Sequence, residues 1–230
     1  MDNFNTIYKY NLWLFGSGSG SLRINNKKYT TFLTKFLKDH NISNVCDIGC
    51  GDWQLSKHID WTGIHYLGID VVKDVIKKNL IYTESNIKFI CKNILDYTIP
   101  NCELYIVKDI FQHLSNTNIE IIINKLLKNK YRYILIINDV SYLNLNYNIE
   151  NGLYRPIDLN KKPFNYTFKV IHHYREPFYI LFYSISLSYL LYITYKKKYK
   201  LYIFSLILLI CYGIFIIPSK KIYLISNTTK

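Results

Sequence analysis

The sequence predicts an α/β fold built on a doubly wound, mostly parallel sheet of seven strands. Three observations lead there. Short apolar runs alternate with stretches whose apolar residues recur at helical spacing, the pattern of parallel strands joined by crossover helices. The first of these runs ends in a tight glycine turn, Gly49-Cys50-Gly51, at the place where an open α/β sheet binds ligands. The chain has 230 residues, 50% of them hydrophobic and 17% aromatic, which suffices for one such domain with additions but not comfortably for two.

Residues 1–28 carry an aromatic patch, Trp13-Leu14-Phe15, followed by Gly16-Ser17-Gly18-Ser19-Gly20-Ser21. Alternating Gly and Ser is the composition of a flexible linker. With so little chain ahead of it, the stretch suits equally well a backbone-rich loop lying over a ligand, whose unobstructed N–H groups bind a carboxylate or phosphate. From Tyr29 to His40 a helix is predicted, with Phe32, Leu33, Phe36 and Leu37 on one face. The first strand is Ile42 to Ile48, followed by the glycine turn, a helix from Gln54 to His58, and a second strand from Tyr66 to Ile69.

Val72, Val75, Ile76 and Leu80 mark an amphipathic helix over Val71 to Leu80, and Ile87 to Cys91 and Leu104 to Lys108 read as the third and fourth strands. Thr117 followed by Glu120 forms a capping box for a helix running to Asn129, with Ile119, Ile122, Ile123, Leu126 and Leu127 as its buried stripe. Tyr133 to Ile137 is apolar throughout, as a central strand covered on both faces should be. An Asn- and Tyr-rich loop follows from Tyr142 to Phe164, and Phe168 to His172 and Lys221 to Ser226 are candidates for strands six and seven.

Between those last two strands, Phe178 to Tyr195 and Leu201 to Ile217 carry no charge and flank Lys196-Lys197-Lys198-Tyr199-Lys200. Each segment approaches the roughly 20 residues that cross a bilayer as a helix. The expectation is an apolar helical hairpin inserted before the last strand. It is expected to associate with a membrane, the alternative being burial in protein, for example at a dimer interface. A full crossing would carry the lysine loop to the far side, against the positive-inside tendency. A shallow or in-plane hairpin avoids that conflict. The chain thus divides into an N-terminal segment (1–28), an α/β domain (29–177), the hairpin (178–217) and a terminal strand with its tail (218–230). No cleavable signal peptide is expected, because Met1 to Leu14 is polar and short of apolar residues, and the α/β domain is expected to face the cytosol.

The formal charge of +13, from 29 Lys and Arg against 16 Asp and Glu, favours anionic partners such as nucleic acid or lipid. The lysines are nevertheless scattered, and 23 tyrosines alongside abundant Ile and Asn point to codon bias. Neither an RNA-recognition pattern nor zinc-finger spacing occurs, so nucleic acid is the less favoured partner. Five cysteines without a C-x-x-C pair read as buried reduced thiols. His172 and His173 point to opposite faces of a strand and do not make a metal site.

The glycine turn narrows the ligand. A dinucleotide fingerprint wants a third glycine where Gln54 stands. Asp47 lies just ahead of the turn, where its charge repels a pyrophosphate and attracts a cation, and Asp70 ends the next strand, about twenty residues beyond the turn, placed to accept ribose hydroxyls. Val45-Cys46-Asp47-Ile48-Gly49-Cys50-Gly51-Asp52-Trp53 with Leu67-Gly68-Ile69-Asp70 resembles the cofactor motifs of the class I S-adenosylmethionine-dependent methyltransferases, over roughly residues 13–175.

That resemblance implies a Rossmann-like fold, S-adenosylmethionine as cofactor, and Asp47, Gly49, Gly51 and Asp70 as residues that bind it. It also implies that Asn93 meets the adenine edge, with Ile94 packing on the ring; Asn departs from the family's commoner Asp, and Asp96 competes for the role. Lys108-Asp109-Ile110-Phe111-Gln112-His113-Leu114 resembles the family's stretch facing the methyl donor. His113 is the candidate base, though the same position suits a histidine that caps the next helix or packs beneath the cofactor. Asp109 is a candidate cofactor or orientation contact, and Asp139 faces the same crevice. The acceptor is expected to be a small molecule, a glycan or a lipid. The alternatives are an RNA methyltransferase and a scaffold that keeps the fold without catalysis.

Overall fold

The computed structural model describes residues 2–143, 146–176 and 218–227, together with Ser188 and Tyr192. The expected hairpin lies outside the described residues apart from those two isolated positions. Among the described residues, no helix is long and apolar enough to cross a membrane.

Seven strands form one sheet: β1 (Asn44–Ile48), β2 (His65–Asp70), β3 (Ile87–Cys91), β4 (Leu104–Lys108), β5 (Tyr133–Val140), β6 (Lys169–Tyr174) and β7 (Ser219–Ser226). Their order is β3-β2-β1-β4-β5-β7-β6. The first five are parallel, whereas β7 runs antiparallel to both β5 and β6 and wedges between them. The order reverses between β1 and β4, so a crevice opens at their carboxyl ends.

Four helices accompany the sheet: α1 (Asp2–Lys9), α2 (Arg23–Asp39), α3 (Lys73–Asn79) and α4 (Asn116–Lys128). The alternation of side chains along a strand divides the core into two layers. Val45, Leu104, Ile106, Leu135 and Ile137 pack against Leu33, Phe36 and Leu37 of α2 on one face. Cys46, Tyr105, Val107, Ile134 and Ile136 pack against the Ile119, Ile122, Ile123 and Leu126 stripe of α4 on the other. This double coverage explains why Leu104 to Val107 of β4 and Ile134 to Ile137 of β5 are apolar without interruption. Each such side chain contributes about 1.5–3 kcal/mol by leaving water.

Four local expectations are corrected. The helix expected from Gln54 to His58 is a single 3-10 turn, Ser56–His58, in which His58 N and Ile59 N bond carbonyls three residues back while Trp61 Nε1 donates to the Ser56 carbonyl at 2.8 Å. The Thr117–Glu120 capping box does not form. Ser115 caps α4, accepting from Asn118 N at 3.3 Å, and Asn116 is held by Asn148 and Arg155 from the following loop. Helix α2 begins earlier than Tyr29, since the buried Asn25 and Asn26 side chains bond the carbonyls of Ser19, Gly20 and Leu22. Finally, Cys91 is exposed and Cys50 and Cys102 are half-buried, so of the described thiols only Cys46 is fully interior.

Candidate active site

A cavity of about 430 Å³ opens at the carboxyl ends of β1, β2, β4 and β5, within the range of cofactor sites. Its floor is the glycine turn. Gly49 and Gly51 have φ of 67° and 57°, a region that costs other residues about 1–2 kcal/mol. A Cβ at Gly49 would stand 2.4 Å from Ile110 Cδ1, and one at Gly51 2.5 Å from Ser17 Oγ. The absent side chains therefore leave a cradle of bare backbone.

Two buried carboxylates frame the cradle. Asp70 accepts from Gly51 N at 3.0 Å through one oxygen and from Val72 N at 2.9 Å through the other. It thereby holds the turn against β2, while each oxygen keeps a lone pair for a further donor. Asp47 accepts the Tyr66 hydroxyl at 2.6 Å. Burial raises Asp47 to about 6, with the Tyr66 bond and the nearby Lys108 ammonium only partly offsetting it; burial likewise raises Asp70. Asn93 and Ile94 line the far end of the same cavity, which Asp96 does not. Asp96 instead takes an N–H of the Asn93 amide at 2.6 Å, and the Asn93 oxygen accepts from Leu95 N at 3.1 Å.

Opposite the cradle, His113 donates from Nδ1 to the Leu153 carbonyl at 3.0 Å. That bond selects the tautomer whose Nε2 carries a lone pair. Burial lowers the histidine's pKa, against a smaller upward pull from Leu153, Asp109 and Asp139. The Trp13 ring lies 4.4 Å from the imidazole, and Tyr154 donates to Asp139 at 3.0 Å. His113 does not cap α4, since Ser115 does.

Asp109 sits in a charge cluster that sequence reasoning did not assemble. Lys220 of β7, 1% exposed, pairs with Asp139 at 2.9 Å, with Glu176 at 3.3 Å and with Asp109, which also pairs with Lys108. Although burial pushes the Asp109 carboxyl up, the two ammonium groups outweigh it and hold the group near 2. Burial raises Glu176 to about 7 despite Lys220. Lys108 further donates to the Gly20 carbonyl at 2.7 Å, tying the Gly/Ser stretch to β4. No motif announces Lys220 or Glu176, because their partners come from strands far away in the chain.

The Gly/Ser stretch proves to be a cover on the cavity. Ser17 N donates to Asp52 at 3.2 Å while Asp52 N donates to Ser17 Oγ at 3.0 Å, and Tyr8 of α1 bonds the same hydroxyl at 2.8 Å. Helix α1 leans on the loop after β5, where Asn3 donates to the Asn151 carbonyl at 2.8 Å. Among the described residues, no group of His, Cys, Asp and Glu is arranged to hold a metal. His172 lies 5.9 Å from the Phe32 ring, and His173 Nε2 bonds Ser219 at 2.7 Å.

No protein-family model matches this chain, and no curated protein matches it. Solved structures do. The magnesium protoporphyrin IX methyltransferase of Synechocystis PCC 6803, crystallised with S-adenosylhomocysteine, is 20% identical with a TM-score of 0.50 over 62% of this chain and 71% of its own. The N-methyltransferase NodS of Bradyrhizobium japonicum WM9, also with S-adenosylhomocysteine, is 18% identical with a TM-score of 0.49, covering 60% and 74%. The methyltransferase domain of a bacterial Hen1 is 16% identical with a TM-score of 0.45, covering 50% and 67%. The chain has the Rossmann-like fold of the class I methyltransferases. At these identities the likeness is one of fold.

Proposed function

We propose that this protein is an S-adenosylmethionine-dependent methyltransferase. The observation that carries the reading is the convergence of Asp47, Gly49, Gly51 and Asp70 on one cavity at the carboxyl edge of the sheet. The donor set suits this cofactor. Asp47 offers negative charge, where an ammonium and a sulfonium need it and a pyrophosphate does not. Asp70 retains lone pairs for the ribose hydroxyls, and the glycine cradle admits the chain between them. Asn93 meets the adenine edge and Ile94 its face. Bound S-adenosylmethionine supplies a methyl group made electrophilic by the sulfonium.

The rest falls to the chain's own residues. His113, neutral and oriented by Leu153, accepts at Nε2 the proton that an O–H or N–H acceptor releases as it becomes nucleophilic. Asp109 and Lys220 fix the wall that positions the acceptor, and positioning supplies much of the effect in an in-line displacement. The Ser17 cover and α1 exclude water. Residues 178–217 attach the protein to a membrane, and the acceptor is a lipid-linked group or a glycan on such a carrier.

Calorimetric titration of the full-length protein with S-adenosylhomocysteine tests the cofactor assignment. Saturable binding that Asp70→Ala abolishes is expected. A folded sample that binds nothing, or binding indifferent to that substitution, overturns it.

A further inference from the structure

The sheet topology decides where the apolar segments join the domain. Strand β6 runs antiparallel to β7, and β7 antiparallel to β5, with Tyr174 opposite Lys220 and Val140 opposite Ser219. The end of β6 and the start of β7 therefore both lie at the carboxyl edge of the parallel strands, beside the mouth of the cavity. Glu176, the last described residue before the insert, contacts Lys220, which itself lines the cavity. The long uncharged segments of residues 178–195 and 201–217 thus leave and re-enter the domain at the active-site edge.

A second observation points to the same edge. Among the described residues, fifteen large hydrophobic side chains are exposed, and nine of them belong to residues 10–15 and the 142–154 loop. Tyr10, Leu12, Leu14 and Phe15 project from the turn after α1, next to Trp13, whose ring lies 4.4 Å from that of His113. Leu143 and Leu153 project from the loop after β5, whose Leu153 carbonyl holds His113. Exposed apolar groups concentrated round a cavity mouth mark an interaction surface. Tyrosines and leucines beside lysines are the composition of elements that lie in the headgroup region. The net charge of +13 complements an anionic surface.

We propose that the carboxyl edge of the sheet, with the cavity mouth, is the face this protein lays on an anionic lipid bilayer, so that the acceptor is a group borne by a lipid and presented from the headgroup layer. Residues 10–15 with Tyr142, Leu143 and Leu153 enter the interface, and α1 with its turn becomes the element that the bilayer holds. The proposal rests on the methyltransferase reading for the nature of the cavity, but its geometry is tested separately.

The test places a reporter on each edge of the full-length protein. Phe15 is 53% exposed at the cavity mouth; Thr62 is exposed in the turn that precedes β2, at the opposite edge, where the first residue of β2, His65, pairs with the first of β1, Asn44. Phe15→Trp and Thr62→Trp are mixed with vesicles of phosphatidylcholine and phosphatidylglycerol, with and without brominated acyl chains, and each emission is compared with that of the unsubstituted protein. The expected result is flotation of both variants, with the added emission of Phe15→Trp blue-shifted and quenched at least twofold by bromine and that of Thr62→Trp unchanged. Flotation with the quenching pattern reversed, or equal for both, overturns the orientation while leaving membrane attachment intact. Protein that stays at the bottom of the gradient overturns the proposal and the membrane attachment together. Titration with S-adenosylhomocysteine on the same samples reports the methyltransferase reading independently of either.

Discussion

Asp47→Asn separates what the candidate site needs from what the fold prefers. The carboxyl is 7% exposed and accepts the Tyr66 hydroxyl at 2.6 Å. Burial holds it near 6, where an ordinary aspartate titrates at 3.8. The folded state therefore binds a proton more tightly than the unfolded chain. Its contribution to stability is fully present below about pH 4 and is lost as the pH rises through 6. At 1.4 kcal/mol per pH unit, keeping Asp47 ionised at neutral pH costs the ligand-free protein about 3 kcal/mol. An amide keeps an acceptor for Tyr66 and carries no charge. Asp47→Asn should then stabilise the ligand-free protein at pH 7.5 by up to about 3 kcal/mol, several degrees in melting temperature. The gain should vanish by pH 4. The same variant should bind S-adenosylhomocysteine at least tenfold more weakly, since it removes the charge facing the ligand's ammonium. Thermal denaturation across pH 4–8 alongside calorimetric titration measures both. A variant less stable than the parent at pH 7.5, or equally stable throughout, would refute the burial argument; unchanged affinity would refute the role of the charge.

Gly51→Ala should destabilise the protein by about 1–2 kcal/mol from the left-handed φ alone and displace Ser17 from Asp52, so that denaturant midpoints fall and loop 16–21 becomes cleavable by protease. Lys220→Met leaves three carboxylates buried without their shared cation, and breaking such a pair costs about 3–5 kcal/mol. Urea unfolding should show the loss shrinking as the pH falls toward 7, because Glu176, near 7 even with Lys220 beside it, is raised further without that ammonium and takes up its proton earlier than in the parent; a loss independent of pH would count against the cluster. For His113, whose pKa burial lowers, the rate of methyl transfer should stay level as the pH drops to the ordinary histidine range and decline only below it. His113→Ala should cost roughly 10²- to 10⁴-fold and abolish that decline, whereas an unchanged pH profile would remove His113 as the base.

What the sequence by itself determined is local and periodic. Strands β1 to β5, the stripe of α4 and the glycine turn with Asp47 and Asp70 all rest on residues within a few positions of one another, where side-chain alternation and helical spacing leave a readable pattern. Asn93 and Ile94, which line the same cavity, were named by the family resemblance rather than by periodicity. The failures are equally local in origin. The Gln54 helix and the Thr117 cap were sound by propensity and lost to contacts the periodicity does not show: Trp61 bonds the Ser56 carbonyl, and the loop after β5 secures Asn116. Only the tertiary structure decided that the Gly/Ser stretch is a cover and that Trp13 lies on His113. It also decided that β7 enters between β5 and β6, and that Lys220 gathers Asp109, Asp139 and Glu176. Each of these joins segments separated by tens of residues or more, and such pairings are selected by burial and charge compensation in the assembled core, which leave no periodic trace along the chain.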